Sequence, residues 1–144
     1  SGCTGRSTRA ICCALGACWT PIQPCGVRIW RLLLPAGELV QLTEGGTPFR
    51  YLACLELREG TERGNHLHRR KQEAFYLLSG KVTLFGVDPR REVRVELALE
   101  EGDLVFIAPG IAHGLRVVQS GFAVEFSPEP FDPADTERHP VVPL

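Results

Sequence analysis

Between Val27 and Ser127 glycine and proline divide the chain into short apolar or alternating stretches, and no long run of 3.6-residue period with a cap interrupts them. Helix is therefore expected to be scarce. Val27 to Leu34 ends at Pro35-Ala36-Gly37, and Glu38 to Thr43 ends at Glu44-Gly45-Gly46. Phe49 to Leu57 alternates, so that Phe49, Tyr51, Ala53, Leu55 and Leu57 share one face. Phe75 to Leu78 is expected to turn at Ser79-Gly80 into Lys81 to Val87, and Asp88-Pro89-Arg90-Arg91 reads as a turn before Val93 to Leu99. Leu104 to Ile107, Gly114 to Val118 and Phe122 to Ser127 complete the series. About ten short strands at regular spacing point to an all-β jelly roll or barrel.

Residues 60 to 80 carry most of the functional information. In an extended strand His66 and His68 point to the same face, so both imidazoles can reach one ion. The strongly polar Arg69-Arg70-Lys71-Gln72 then forms a turn that can return the chain beside the first strand, and Glu73 opens the next apolar run.

From Gly60 to Gly80 the pattern G-x5-H-x-H-x4-E-x6-G meets every defined position of the first motif of the cupin superfamily. Gly102 to His113 resembles the second motif, G-x5-P-x-G-x2-H, with Ala108 at the first proline position and Pro109-Gly110 making the turn. The family's usual asparagine four residues past the histidine is replaced by Val117, which removes no metal ligand. The 21 residues between Gly80 and Gly102 suit the two strands that the family places between its motifs. The resemblance implies an antiparallel double-stranded β-helix, the cupin jelly-roll barrel, with His66, His68, Glu73 and His113 lining its mouth as metal ligands. Three imidazoles and a carboxylate suit a divalent transition metal (Zn, Mn, Ni, Co or Fe) rather than Ca(II) or a thiolate-seeking ion. Against this stands the plainer reading, in which the histidines are ordinary polar groups at a barrel opening or do acid-base work without metal.

A finer resemblance concerns the kind of cupin. Arg63-Gly64-Asn65-His66-Leu67-His68 looks like the R-G-x-H-x-H of nucleotide-sugar 3,4-oxoisomerases, and R-G-x-H is shared by the dTDP-4-dehydrorhamnose 3,5-epimerases. Pro48-Phe49 resembles their P-F element, and Phe131-Asp132-Pro133-Ala134-Asp135-Thr136-Glu137-Arg138 is similar to the Y-D-x-x-D-x-x-R tail of the oxoisomerases. Those isomerases commonly carry glutamine where this chain has Glu73, and they work without metal. The resemblance thus implies a small-molecule substrate, a nucleotide sugar or other carbohydrate, and an isomerase or epimerase acting on a keto sugar.

Such chemistry needs a base for the α-proton and a holder of enolate charge. Without metal, His66 or His68 would be the base and Arg63 would contact diphosphate or the oxyanion; with metal, Tyr76 or a water would move protons. Each of these last two has a plain structural alternative, Tyr76 as a core aromatic and Arg63 as a surface turn residue. An Fe(II) dioxygenase and a non-catalytic small-molecule binding module use the same fold and are carried as alternatives.

The 144 residues allow one barrel, expected over 27–128, with a Pro-rich tail at 129–144 and a Cys-rich segment at 1–26. A formal net charge of -1 gives no electrostatic case for nucleic acid or an anionic membrane, and no apolar run is long enough to span a bilayer. Five of the six cysteines precede Val27, without the paired spacing of a zinc site. Arg6 and Arg9 before Ala10 to Leu15 faintly resemble an export signal, but the apolar core is short. Reduced thiols and a cytoplasmic location are the expectation. The start at Ser1-Gly2 and the lack of methionine read as a tag remnant or a processed start, with disorder and low functional weight expected. Cupins usually pair through an edge strand, so a homodimer through Val27 to Leu34 is expected.

Overall fold

In the computed structural model, residues 10–13, 30–43 and 48–144 are described. The expected strand start at residues 27–29, the turn at 44–46 and most of the Cys-rich segment lie outside them.

Ten strands and one short 3-10 turn are present among the described residues. They are β1 (Ala10–Cys13), β2 (Trp30–Leu34), β3 (Gly37–Gln41), β4 (Tyr51–Leu57), β5 (Glu62–His68), β6 (Glu73–Asp88), β7 (Val93–Glu100), β8 (Leu104–Ile107), β9 (Ala112–Ser127) and β10 (Thr136–Arg138). Eight form one sheet in the order β1-β8-β6-β9-β5-β10, with β4 also on β9 and β7 also on β6, while β2 and β3 pair separately. All described pairings are antiparallel except β1 with β8, which is parallel. This is the expected antiparallel barrel.

Three expectations are corrected. Ser79-Gly80 does not reverse the chain: the stretches on either side form the single strand β6, and Gly114 to Val118 likewise continues into Phe122 to Ser127 as β9. The register between them shifts at Leu77/Ser79, Ser79/Lys81 and Lys81/Val82. Such irregularities let a long strand turn a barrel corner without breaking its ladder. Gly80 has a positive φ of 92°, and the backbone of Ser79 and Gly80 lies against Gly121 where a Cβ would stand. Nor does the polar turn at 69–72 return the chain beside β5, because β9 lies between β5 and β6 and takes the facing hydrogen bonds of both.

Alternation sorts the side chains. Leu57, Phe75, Leu77, Val82, Leu115 and Val117 meet in the largest core cluster, and removing each such side chain from water contributes about 1.5–3 kcal/mol. Ala74 and Tyr76, on the other side of β6, pack with Leu104 and Phe126 in a second cluster. A third joins Leu67, Phe85, Val87 and Ala112 to Val141 and Val142 of the Pro-rich tail. That tail is held further by β10 on β5, and by Asn65, whose Oδ1 accepts the N–H groups of Val141 and Val142 at 2.9 and 3.0 Å. The short turn expected at Pro133 to Asp135 is present as a 3-10 turn.

Gly121→Ala is expected to destabilise the barrel by about 3 kcal/mol or more, since the added methyl meets backbone that the strand pairing holds in place. Denaturant unfolding of the variant beside the parent checks this; an unchanged midpoint would refute the close approach.

Candidate metal centre at the barrel mouth

His66 and His68 end β5, Glu73 begins β6 and His113 begins β9. His66 pairs directly with His113 across the β5–β9 ladder, so their side chains rise from the same face. Glu73 arrives from the opposite side after the 69–72 loop. One donor atom from each of the four residues lies within 4.8 Å of all the others. Glu73 Oε2 is 2.8 Å from His113 Nε2, 3.4 Å from His68 Nε2 and 4.0 Å from His66 Nε2.

Neighbouring backbone orients the rings. His113 Nδ1 lies 3.0 Å from the Ile111 carbonyl and His68 Nδ1 lies 3.3 Å from the Asp135 carbonyl. A carbonyl only accepts, so these nitrogens carry the protons and the Nε2 lone pairs face Glu73. His68 Nε2 and Glu73 Oε2 are buried without a hydrogen-bond partner. Lone pairs gathered so closely in a buried site require a cation between them, a proton or a metal ion. Imidazoles fixed through Nδ1 with Nε2 aimed inward, beside an ionised carboxylate, are the donor set a transition metal takes. The residues therefore fit such an ion.

Burial, and after it the neighbouring His113, moves the His66 imidazole from the ordinary 6.5 down to about 4, so this ring is uncharged at neutral pH. Burial opposes ionisation of Glu73, yet His113, His68 and the ammonium of Lys71 outweigh it and hold the carboxyl well below the usual range. His66 is the most open of the four, with 29% of its side chain exposed against 4% for His68. The cluster is thus most open on the His66 side.

The remaining expected residues are placed differently. Arg63 stands opposite Leu115 in the register, on the inward side, because a bulge at Gly64 and Asn65 intervenes before His66. Without the bulge, residues three apart would face opposite sides. Its guanidinium is exposed and donates to the Glu56 carbonyl at 3.1 Å. Tyr76 is not brought to the cluster: it lies three residues from Glu73 on one strand, so alternation sends it to the outer face with Leu104 and Phe126. Tyr76 thus stands where its plain alternative, the core aromatic, places it.

Other groups, not singled out from sequence, surround the site. Lys71 Nζ donates to Glu73 Oε1 at 2.9 Å, and Tyr51 Oη donates to Glu125 Oε2 at 3.4 Å. Burial, then the Glu73 charge, raises the Glu125 carboxyl. The Asp135 carboxylate accepts the backbone N–H groups of Arg69, Arg70 and Lys71 at 3.0–3.1 Å, which fixes the loop between His68 and Glu73. Arg70 also pairs with Asp132, and Arg69 with Glu137, so these turn arginines hold the tail. The inward parity of Tyr51 was readable from the alternation of β4; the tail motif containing Asp135 was visible only as a resemblance.

The cupin domain family matches residues 54–126, just over half of the chain and both halves of this cluster. The chain belongs to the cupin family. No curated protein sequence matches it. Among solved structures, a 3,4-ketoisomerase from Helicobacter canadensis is similar at a TM-score of 0.67 and 14% identity, over 78% of this chain and 87% of that one. The QdtA sugar 3,4-ketoisomerase from Thermoanaerobacterium thermosaccharolyticum, in complex with TDP, gives 0.69 and 16% over 78% and 85%. The RmlC epimerase of Mycobacterium tuberculosis gives 0.63 and 19% over 76% and 65%. At these identities the likeness is one of fold. No helix among the described residues is long and apolar enough to cross a membrane.

In the metal-free protein, stability is expected to fall as pH drops from 6.5 toward 4. Over that window the unfolded chain takes up a proton at His66 while the folded chain resists it, so protonation favours unfolding. The depressed Glu73 adds a loss of the same sign as pH falls through and below its ordinary range near 4.5. Thermal melts of chelator-stripped protein across this range check the prediction; replacing His66 by leucine should flatten the slope, and an equal slope in the variant would refute the assignment.

Proposed function

We propose that this cupin binds one divalent transition metal through His66, His68, Glu73 and His113 and acts as an isomerase or epimerase on a keto sugar or similar small polar substrate. The observation that carries the reading is the cluster itself, four donors within 4.8 Å with His68 Nε2 and Glu73 Oε2 buried and unpartnered. Solved ketoisomerases and an epimerase of the same fold, one of them holding TDP, support the substrate class.

A bound ion would act as a Lewis acid toward a substrate oxygen as negative charge develops there. The protein's own groups supply the rest. Tyr51 and Glu125, 3.4 Å apart, form an acid-base pair whose carboxyl is raised by burial, and it is suited to accept or return a proton. The exposed guanidinium of Arg63 is available to an anionic part of a substrate such as a diphosphate. The apolar floor, including Phe75 and Ile107, limits water behind the site.

Elemental analysis of protein purified without chelator should find one equivalent of metal, and His66→Ala and His113→Ala should abolish it while leaving a folded barrel. Full metal occupancy in the double variant would sink the four-ligand site. Incubation of the loaded protein with TDP-4-keto sugars in deuterium oxide should exchange the proton beside the ketone. Exchange absent across such sugars, with oxygen consumed instead, would turn the reading to the dioxygenase.

We also read the chain as a homodimer formed through the β2–β3 hairpin, where Leu34 and Leu39 are 43% and 52% exposed. Sedimentation at micromolar concentration is expected to show the dimer, and a monomer there would exclude it.

A further inference from the structure

Lys71 sits in a turn that its composition marks as solvated, yet its side chain is 4% exposed. A buried ammonium keeps its charge only beside a compensating anion and hydrogen-bond acceptors. Lys71 finds them in Glu73 Oε1, at 2.9 Å, and in the face of the Tyr51 ring, with Nζ 4.0 Å from the ring centroid. Its backbone is fixed as well, because its N–H is donated to Asp135 Oδ2 at 3.0 Å. The two oxygens of Glu73 are therefore divided: Oε1 belongs to Lys71, while Oε2 faces the three imidazoles without a hydrogen bond.

We propose that Lys71 is a positioning residue that makes Glu73 a one-oxygen metal ligand. By occupying Oε1 it prevents the carboxylate from closing on the ion with both oxygens. The protein would then offer four donor atoms, and a six-coordinate ion would take its remaining ligands from water or substrate. The same restriction disfavours Ca(II), which needs more oxygen donors and commonly takes carboxylates through both. Tyr51 and Glu125 extend the contact outward, so the position of the Glu73 carboxylate is linked through Lys71 to the acid-base pair at the mouth. This inference rests on the metal reading of the cluster.

The test uses the full chain, stripped with chelator and titrated with Co(II). Lys71→Met is expected to tighten Co(II) binding by about tenfold, because the ion no longer faces a neighbouring ammonium and gains the second oxygen of Glu73. Its visible bands should shift as Glu73 closes with both oxygens and displaces a small ligand from the ion. Lys71→Arg, which keeps a cation near Oε1, should return part-way to the parent in both. A folded Lys71→Met variant with unchanged affinity and unchanged bands overturns the role of Lys71 and leaves the metal site standing. Absence of Co(II) binding by the parent protein overturns the metal site and this inference together. The parent also provides a readout independent of any variant's folding: the infrared splitting of its Glu73 carboxylate in the Co(II) form should be the wide one of single-oxygen ligation, and a narrow two-oxygen splitting overturns the proposal.

Discussion

A carboxylate buried against three imidazoles is the constraint around which the barrel mouth is organised. An ionised Glu73 could not remain in so apolar a surrounding without compensation: Lys71 supplies it on one oxygen, and the other shares with the imidazole nitrogens the need for a proton or a metal ion. The imidazoles are themselves committed through Nδ1 to carbonyls of Ile111 and Asp135, so their free lone pairs converge. The arrangement calls for a proton or a metal ion among these atoms, and the cluster is most open on the His66 side.

Strand parity determines which groups belong to that centre. On β6, Glu73, Phe75 and Leu77 face inward while Ala74 and Tyr76 face out, so one strand builds both the site and an outer apolar layer. On β5 a bulge at Gly64 and Asn65 resets the parity, which allows Arg63 and His66 to share a face although they are three residues apart. The R-G-x-H sequence therefore has a geometric content: the glycine and the following left-handed residue spend one position on the reset. Asn65 uses its side chain at the same place to hold the backbone of Val141 and Val142.

The C-terminal tail packs around the cluster. Asp135 caps the loop that carries Lys71 toward Glu73, its carbonyl orients His68, and β10 covers the edge of β5 that bears both histidines. Gly110 N–H donates to the His68 carbonyl at 2.6 Å and ties the turn before His113 to the first motif. Three segments far apart in the chain thus fix one cluster of donors. The likeness in fold to solved sugar ketoisomerases covers 78% of the chain.

Glycine and proline punctuation, two-residue alternation and the spacing of His66, His68, Glu73 and His113 determined locally that the chain would be a β-barrel with its donors on inward faces. These are properties of backbone sterics and of period two, which operate within a few residues. The tertiary structure decided the rest. Whether Ser79-Gly80 reverses the chain or bends one long strand depends on Gly121 lying against it, and Gly121 is 41 residues from Gly80 in sequence. Whether Lys71 is a solvated turn residue or a buried partner of Glu73 depends on Tyr51 and Asp135, which come from opposite ends of the barrel domain. Burial and hydrogen-bond partnership are set by what packs against a residue, and a single stretch of sequence does not contain its own neighbours.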